Sequence, residues 1–221
     1  MTGNQDAGAV EREELDPRQA LSIIDQQRRR AALTEPSTAL VTGAWGAAWL
    51  VGYTAMWLSA GDDGAPALWA GALALGLGVV AVVTTIVHSA RRSHGIRGVS
   101  AVEGALYGFA WPVGFAAQGL IVGGISGAGA PPRAVAVAAN SIAALVVALL
   151  YIAGGALWRE PLLYGLGVWM ALVAGLAALA GVPVTYLVMG LAGGGVALVA
   201  SLVVGVRARR AHRARLAGAP A

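Results

Sequence analysis

Five residues between positions 98 and 124 have the types and spacing for chemistry in an apolar setting: Glu103, Tyr107, Trp111, Gly114 and Gln118. They follow one another at intervals of four, four, three and four, which puts them on one face of a helix. A carboxylate inside an apolar run is a functional group by default, because it must be protonated, paired or in contact with a cation. On that reading the stripe lines a polar cleft with Glu103 as its protonatable or cation-contacting group. A second reading is local. Ser100 and Glu103 have the spacing of a capping box, each side chain satisfying the other's backbone N–H, and the helix dipole would favour the charge. The cap is the simpler account of Glu103.

Gln118 and Asn140 raise a related question. Each lies eleven residues from Gly129, so in an antiparallel hairpin the two amides reach similar depth. They are read either as hydrogen-bonding glue between two helices, worth about 0.6 and at most about 2 kcal/mol, or as a small polar binding site. Pro112, inside the same run, frees a carbonyl one turn earlier and predicts a kink.

The elements that would position these residues follow from composition. The chain has 221 residues, 57% hydrophobic and only 12% charged. Its mean hydropathy is +0.70. Soluble domains carry about 25% charged residues, so the solvent implied is lipid. Six apolar stretches reach the length of about 20 residues that a spanning helix needs. They are 39–60, 66–90, 99–125, 134–157, 161–180 and 184–206. The runs are too long for strands and lack alternation, and in hydrocarbon the backbone must satisfy itself, so all six are predicted to be helices. The fold class is an all-α, polytopic bundle: 1–36 an N-terminal segment, 37–206 the membrane domain, 207–221 a basic tail.

All 15 basic residues are arginine. Arg28, Arg29 and Arg30 precede the first stretch, Arg91, Arg92 and Arg97 separate the second and third, and Arg159 separates the fourth and fifth. Arg207, Arg209, Arg210, Arg213 and Arg215 follow the sixth; only Arg133 falls in a loop of opposite parity, where Asp62 and Asp63 also lie. The positive-inside rule then predicts both termini in the cytoplasm. This placement explains the basic pI without nucleic acid. The tail arginines either contact anionic lipid head groups or simply anchor the topology. No apolar core precedes Leu40, so the first stretch is expected to act as an uncleaved insertion signal.

Ahead of it, residues 15–36 read as a short amphipathic helix capped by Asp16, with Pro17 in its first turn and Gln19 at capping-box spacing. Leu21, Ile24 and Ala31 share a face, with Ala20 and Ile23 beside it. Such a helix either lies on the inner leaflet or docks a cytoplasmic partner through residues 15–33. Residues 1–14 are polar and acidic, a composition that predicts disorder.

Three stretches echo one another: "ALVTGAWGAAW" at 39–49, "ALYGFAWPVG" at 105–114 and "LLYGLGVWM" at 162–170. Two others do so as well, "GLGVVAVVTTIVHSARR" at 76–92 and "GGGVALVASLVVGVRARR" at 193–210, which suggests three helical hairpins in series, although Gly, Ala, Leu and Val also produce chance similarity. The pairs Gly104/Gly108, Gly119/Gly123 and Gly190/Gly194 are expected at helix contacts and leave an oligomer open. Trp57, Trp69 and Trp158 suit the interfaces. Trp45, Trp49, Trp111 and Trp169 lie deeper, either as packing or as the lining of a pocket.

No catalytic constellation is present. There is no cysteine, no His/Glu metal motif, no nucleophile elbow and no phosphate-cradling loop. His88 and His94 are six apart, unsuited to a helical metal pair, and read as solvated. No cofactor, metal or enzymatic activity is expected. The combination "LDPRQALSIIDQQRRRA" and "GAWGAAWLVGYTAMW", within residues 15–58, resembles a group of small six-helix membrane proteins of actinobacteria. That resemblance implies the topology and a bacterial plasma membrane, and carries no activity or binding residues. Two functions remain: a small transporter-like bundle handling a small solute, or a non-catalytic subunit, scaffold or sensor.

Overall fold

The computed structural model describes residues 16, 19, 21–23, 37–92 and 99–216, and the chain divides into two units, Met1–Glu35 and Pro36–Ala221. In the first unit Gln19, Leu21, Ser22 and Ile23 are helical, with Asp16 ahead of the helix. The Ser22 hydroxyl donates to the Gln19 carbonyl at 2.8 Å. Arg28, Arg29, Arg30, His94 and Arg97 lie outside the described residues.

The second unit is helical, with no strand among the described residues. Its helices are α1 (Thr38–Leu58), α2 (Leu68–Arg92), α3 (Val99–Gly127), α4 (Pro132–Leu157), α5 (Pro161–Ala180), α6 (Val184–Val188), a π-helical segment (Met189–Gly195) and α7 (Val196–Leu216). The boundaries follow local chemistry. The Ser37 side chain accepts from Leu40 N and caps α1. Pro132 and Pro161 occupy the first positions of α4 and α5, where a missing N–H costs nothing. Gly129 and Gly181, at φ 83° and 67°, make the turns that follow α3 and α5. Helix α3 continues through Pro112.

Five helical stretches are long and apolar enough to cross a membrane: Leu68–Arg91, Val102–Gly127, Pro132–Leu157, Pro161–Ala180 and Val184–Ala211. The last comprises α6, the π segment and most of α7. Large apolar side chains point outward, with Leu68 94%, Leu179 86% and Leu120 79% exposed, while the buried positions are mostly glycine and alanine. This is the arrangement expected where the surroundings are hydrocarbon: small residues let helices approach, and bulky ones face lipid.

Helices α4 and α5 share the most extensive contact, and α1 packs on α2, α6, the π segment and α7. Helix α2 packs chiefly on α1 and α3 chiefly on α4, so these two stand at the ends of a row running α2, α1, α6–α7, α5, α4, α3. Glycines set the closest approaches. A Cβ on Gly155 would lie 2.5 Å from Tyr164 N, and one on Gly167 2.6 Å from Ile152 N, which seals α4 against α5. A Cβ on Gly46 would lie 2.7 Å from Leu198 N, and one on Gly194 would strike Leu50 N, which seals α1 against the π segment and α7. The expected glycine contacts are thereby corrected. Gly190 and Gly194 do meet α1, but Gly104, Gly108, Gly119 and Gly123 have no neighbour within 4 Å of a Cβ position. Helix α3 turns those residues away from its single main partner.

Polar ties join neighbouring elements at both ends of the helices. At one end the Ser37 N–H donates to His88 Nε2 at 2.9 Å, and the Ser201 hydroxyl donates to Ala39 O at 2.6 Å. His88 therefore accepts through Nε2 and holds the start of α1. At the other end Arg133 donates to the carbonyls of Asp62 and Asp63, joining the start of α4 to the α1–α2 turn. The Thr185 hydroxyl donates to Ala177 O at 2.7 Å across the α5–α6 turn.

Candidate functional site

The stripe on α3 does not form the polar cleft that its spacing suggests. Helix α3 begins at Val99, so Ser100 is its second residue rather than the residue ahead of it, and the Ser100 side chain is outside the described set. Glu103 is half-buried and has no ion pair or hydrogen bond among the described residues. The Tyr107 hydroxyl donates to Leu150 O at 3.0 Å. Gln118 Nε2 donates to Ala139 O at 3.1 Å, while Asn140 Nδ2 turns back to Ala136 O of its own helix at 2.7 Å. The two amides thus lie beside the same turn of α4, yet do not bond to each other. Gln118 bridges α3 and α4, and Gln118→Leu should cost about 0.6 kcal/mol, and no more than about 2, in a reversible unfolding titration in mixed micelles. A larger loss would mean that Gln118 holds more than this one bridge.

Trp111 points elsewhere. It belongs to an aromatic run in which Tyr107 meets Trp158 edge-on at 4.6 Å and Trp111 meets Tyr151 edge-on at 5.9 Å. Trp111 also stacks on Phe115 at 6.4 Å. Gly154 makes room for this run, since a Cβ there would lie 2.8 Å from the Tyr107 hydroxyl.

Beyond Tyr151 and Trp111 lies a narrow cleft of about 30 Å³, walled by Trp45 and Trp49 of α1, Trp169 and Met170 of α5, and Gly193 and Gly194 of the π segment. No charged residue lines it. All four of the deeper tryptophans therefore converge on one space, and each of the three echoing stretches contributes to it. Trp45 and Trp49 lie 7 and 11 residues into α1, about 10 and 17 Å along its axis at 1.5 Å per residue. Leu166 and Met170, also lining residues, lie 5 and 9 residues into α5, about 8 and 14 Å along. The cleft thus sits between one end of the bundle and its middle.

Two walls of the cleft are fixed by hydrogen bonds. Trp45 Nε1 donates to Thr85 Oγ1 at 3.1 Å, and Thr85 in turn donates to Ala81 O at 2.8 Å. Trp169 Nε1 donates to Ala192 O, inside the π segment, at 2.8 Å. A π segment widens the helical repeat, misaligns its carbonyls with the usual amides and recurs at functional sites. Here it presents a carbonyl to an indole, and its glycines form a flat floor: a Cβ on Gly193 would lie 3.1 Å from Trp49 Cε3. The "MGLAGGG" cluster was the signal in the sequence for this irregularity, which a plain helix over 184–206 overlooks.

No group of three or more metal-binding side chains occurs among the described residues. Arg207, Arg209, Arg210 and Arg213 are exposed along the end of α7; the side chain of Arg215 is outside the described set. At 100° per residue they fall within an arc of about 160°, so they share one side of the helix. No family model matches the chain, and neither a curated protein nor a solved structure similar to it is found.

Proposed function

We propose that this chain is a six-span protein of the bacterial plasma membrane with both termini in the cytoplasm, which binds and passes a small uncharged solute through its aromatic cleft. The single observation that carries the reading is that cleft: four tryptophans from three helices gathered around a gap of about 30 Å³, which a solute must widen, beside a glycine-rich π segment. Apolar walls with a few placed polar groups are the usual make-up of small-molecule sites. A charged solute would have to be desolvated with no counter-charge at hand, which favours a neutral one.

The sixth span in this reading is α1. It has 21 residues and no charge; its tryptophans and glycines only dilute its hydropathy. The arginines at 91, 159, 207, 209, 210 and 213 support the cytoplasmic assignment, and anionic lipid is the proposed partner of the α7 arginines. Because the chain has no cysteine, single cysteines report topology without background. Asp62→Cys should react with an impermeant maleimide on intact cells, and Arg213→Cys only after permeabilisation. The reverse pattern would invert the protein.

The binding reading is tested with the purified chain in lipid nanodiscs and 2-isopropenylnaphthalene, a flat apolar probe. Saturable binding above empty nanodiscs, with quenching or energy transfer from tryptophan, is the expected result; partition equal to that of empty nanodiscs would remove the reading. The alternative, a non-catalytic subunit, is favoured by one observation, the position of α3 at the end of the row with its glycines facing open space. Purification from native membranes with a stoichiometric partner would support it.

A further inference from the structure

A groove of about 420 Å³ opens beside the start of α4. Val137, Ala138 and Ser141 of α4 line one wall, and Ala178 of α5 with Val182 of the α5–α6 turn line the other. It exists because the two helices end at different heights. Helix α5 stops at Ala180, and Gly181 turns the chain away at φ 67°. Helix α4 continues from Ser141 back to Arg133, eight residues or about 12 Å along its axis. A turn rather than a helix therefore faces that stretch. Gly181 also lines the groove, and a Cβ there would meet nothing within 4 Å.

The one charged residue that lines the groove is Arg133, and its guanidinium is held at the mouth. Nε donates to Asp63 O at 2.7 Å, and Nη2 donates to Asp62 O. The adjoining Gly64 rests on the far wall, since a Cβ there would lie 3.0 Å from Val182 Cγ2. Arg133 thus reaches from the α4 wall to a turn seated on the opposite one. These two bonds use two of the five guanidinium N–H groups, and the side chain is exposed. The rest of the fork is free for an anion, and its geometry matches phosphate oxygens. The charge is also misplaced for a topology anchor. The other described arginines follow α2, separate α4 from α5 or line the end of α7, at the opposite end of the helices. A fixed cation at the mouth of an apolar groove, on a bundle whose bulky apolar side chains face outward, complements an anionic group that carries an apolar tail. We infer that the groove holds one phospholipid of the adjacent leaflet, its phosphate on the Arg133 guanidinium and one acyl chain along α4 from Arg133 to Ser141. The exposed Asp62 and Asp63 carboxylates beside that guanidinium suit a head group that also carries an ammonium, as phosphatidylethanolamine does. This groove shares no lining residue with the tryptophan cleft, so the inference stands apart from the function proposed for it.

The test titrates the full chain in detergent with two lipids that have the same palmitoyl and oleoyl chains, phosphatidylethanolamine and the diacylglycerol that lacks the phosphate. Native mass spectrometry counts the adducts. The wild-type chain should bind the phospholipid about tenfold tighter than the diacylglycerol, the value of one good charge-assisted hydrogen bond. Arg133→Gln should abolish that preference and leave diacylglycerol binding unchanged. Ala138→Leu, which fills the groove and keeps Arg133, should weaken both lipids at least about fivefold. Arg213→Gln, which removes an arginine of α7 far from the groove, should preserve the preference. Equal binding of the two lipids by the wild-type chain, or a preference that survives Arg133→Gln, would overturn the phosphate contact. Phospholipid binding untouched by Ala138→Leu would place the acyl chain outside the groove and overturn the site. The wild-type comparison and the Ala138→Leu variant leave the Arg133 bonds intact, so a loosened Arg133→Gln protein does not blunt the test.

Discussion

Replacing Gly194 by alanine should be among the most damaging single-methyl changes in the chain, lowering unfolding free energy by about 2–3 kcal/mol, in the range for overpacking a tight contact. The added Cβ would meet backbone, not a side chain that can rotate aside: Leu50 N, and Gly46 O at 2.9 Å. Helix α1 would have to withdraw, and with it the reciprocal contact of Gly46 against Leu198 N. The same residue lies in the π segment, so a stiffer side chain also works against the local widening of the helix. Gly104→Ala and Gly123→Ala are the controls. Nothing lies within 4 Å of their Cβ positions, and alanine is about 1 kcal/mol better than glycine in a helix interior, so both should be neutral to slightly stabilising. Unfolding in mixed micelles, followed by near-ultraviolet circular dichroism, compares all three. If Gly194→Ala behaves like its controls, α1 does not cross the π segment as closely as described.

This contrast shows where sequence reading stops. The six apolar stretches, their turns and the prolines at helix starts were legible because hydropathy and turn chemistry are local. Five of the stretches recur as helices long and apolar enough to span, and the first as a 21-residue, tryptophan-rich helix that is not among those five. Glycine spacing was misleading for a physical reason: Gly104/Gly108 and Gly190/Gly194 share the same four-residue interval, and only tertiary packing decides that the second pair meets α1 while the first meets nothing. The α3 stripe failed in the same way. Its spacing put Tyr107, Trp111 and Gln118 on one face, but Tyr107 and Gln118 serve α4, through Leu150 O and Ala139 O, and of the three only Trp111 lines the cleft. What gathers around open space comes from positions 45, 49, 111, 151 and 169. Their proximity depends on the order in which helices pack, and that order leaves no periodic trace in the chain. The tryptophans were visible as deep residues; their convergence was not.

Filling the cleft provides a test in which binding and stability move in opposite directions. Ala197 lines the space at the start of α7. Ala197→Leu adds three carbon atoms there on a residue that favours helix, so the new side chain occupies volume that a solute would need. Binding of 2-isopropenylnaphthalene in nanodiscs should fall at least about tenfold, since a pocket that loses a few heavy atoms of ligand contact loses more than about 1.4 kcal/mol. Unfolding free energy should hold or rise by about 0.5–2 kcal/mol, the usual gain from filling a cavity. Trp111→Ala reverses the geometry. It removes the only wall that α3 contributes, while Tyr107 and Gln118 still tie α3 to α4. Binding should weaken there as well, because the aromatic face is gone, but stability should now fall by about 3–5 kcal/mol, the range for a large aromatic truncated among neighbours. Loss of binding in both variants with stability moving oppositely would be hard to obtain from any general loosening of the bundle. If Ala197→Leu instead destabilises the chain and leaves binding intact, the space beside Trp45 and Trp49 is already filled by packing and the probe binds elsewhere.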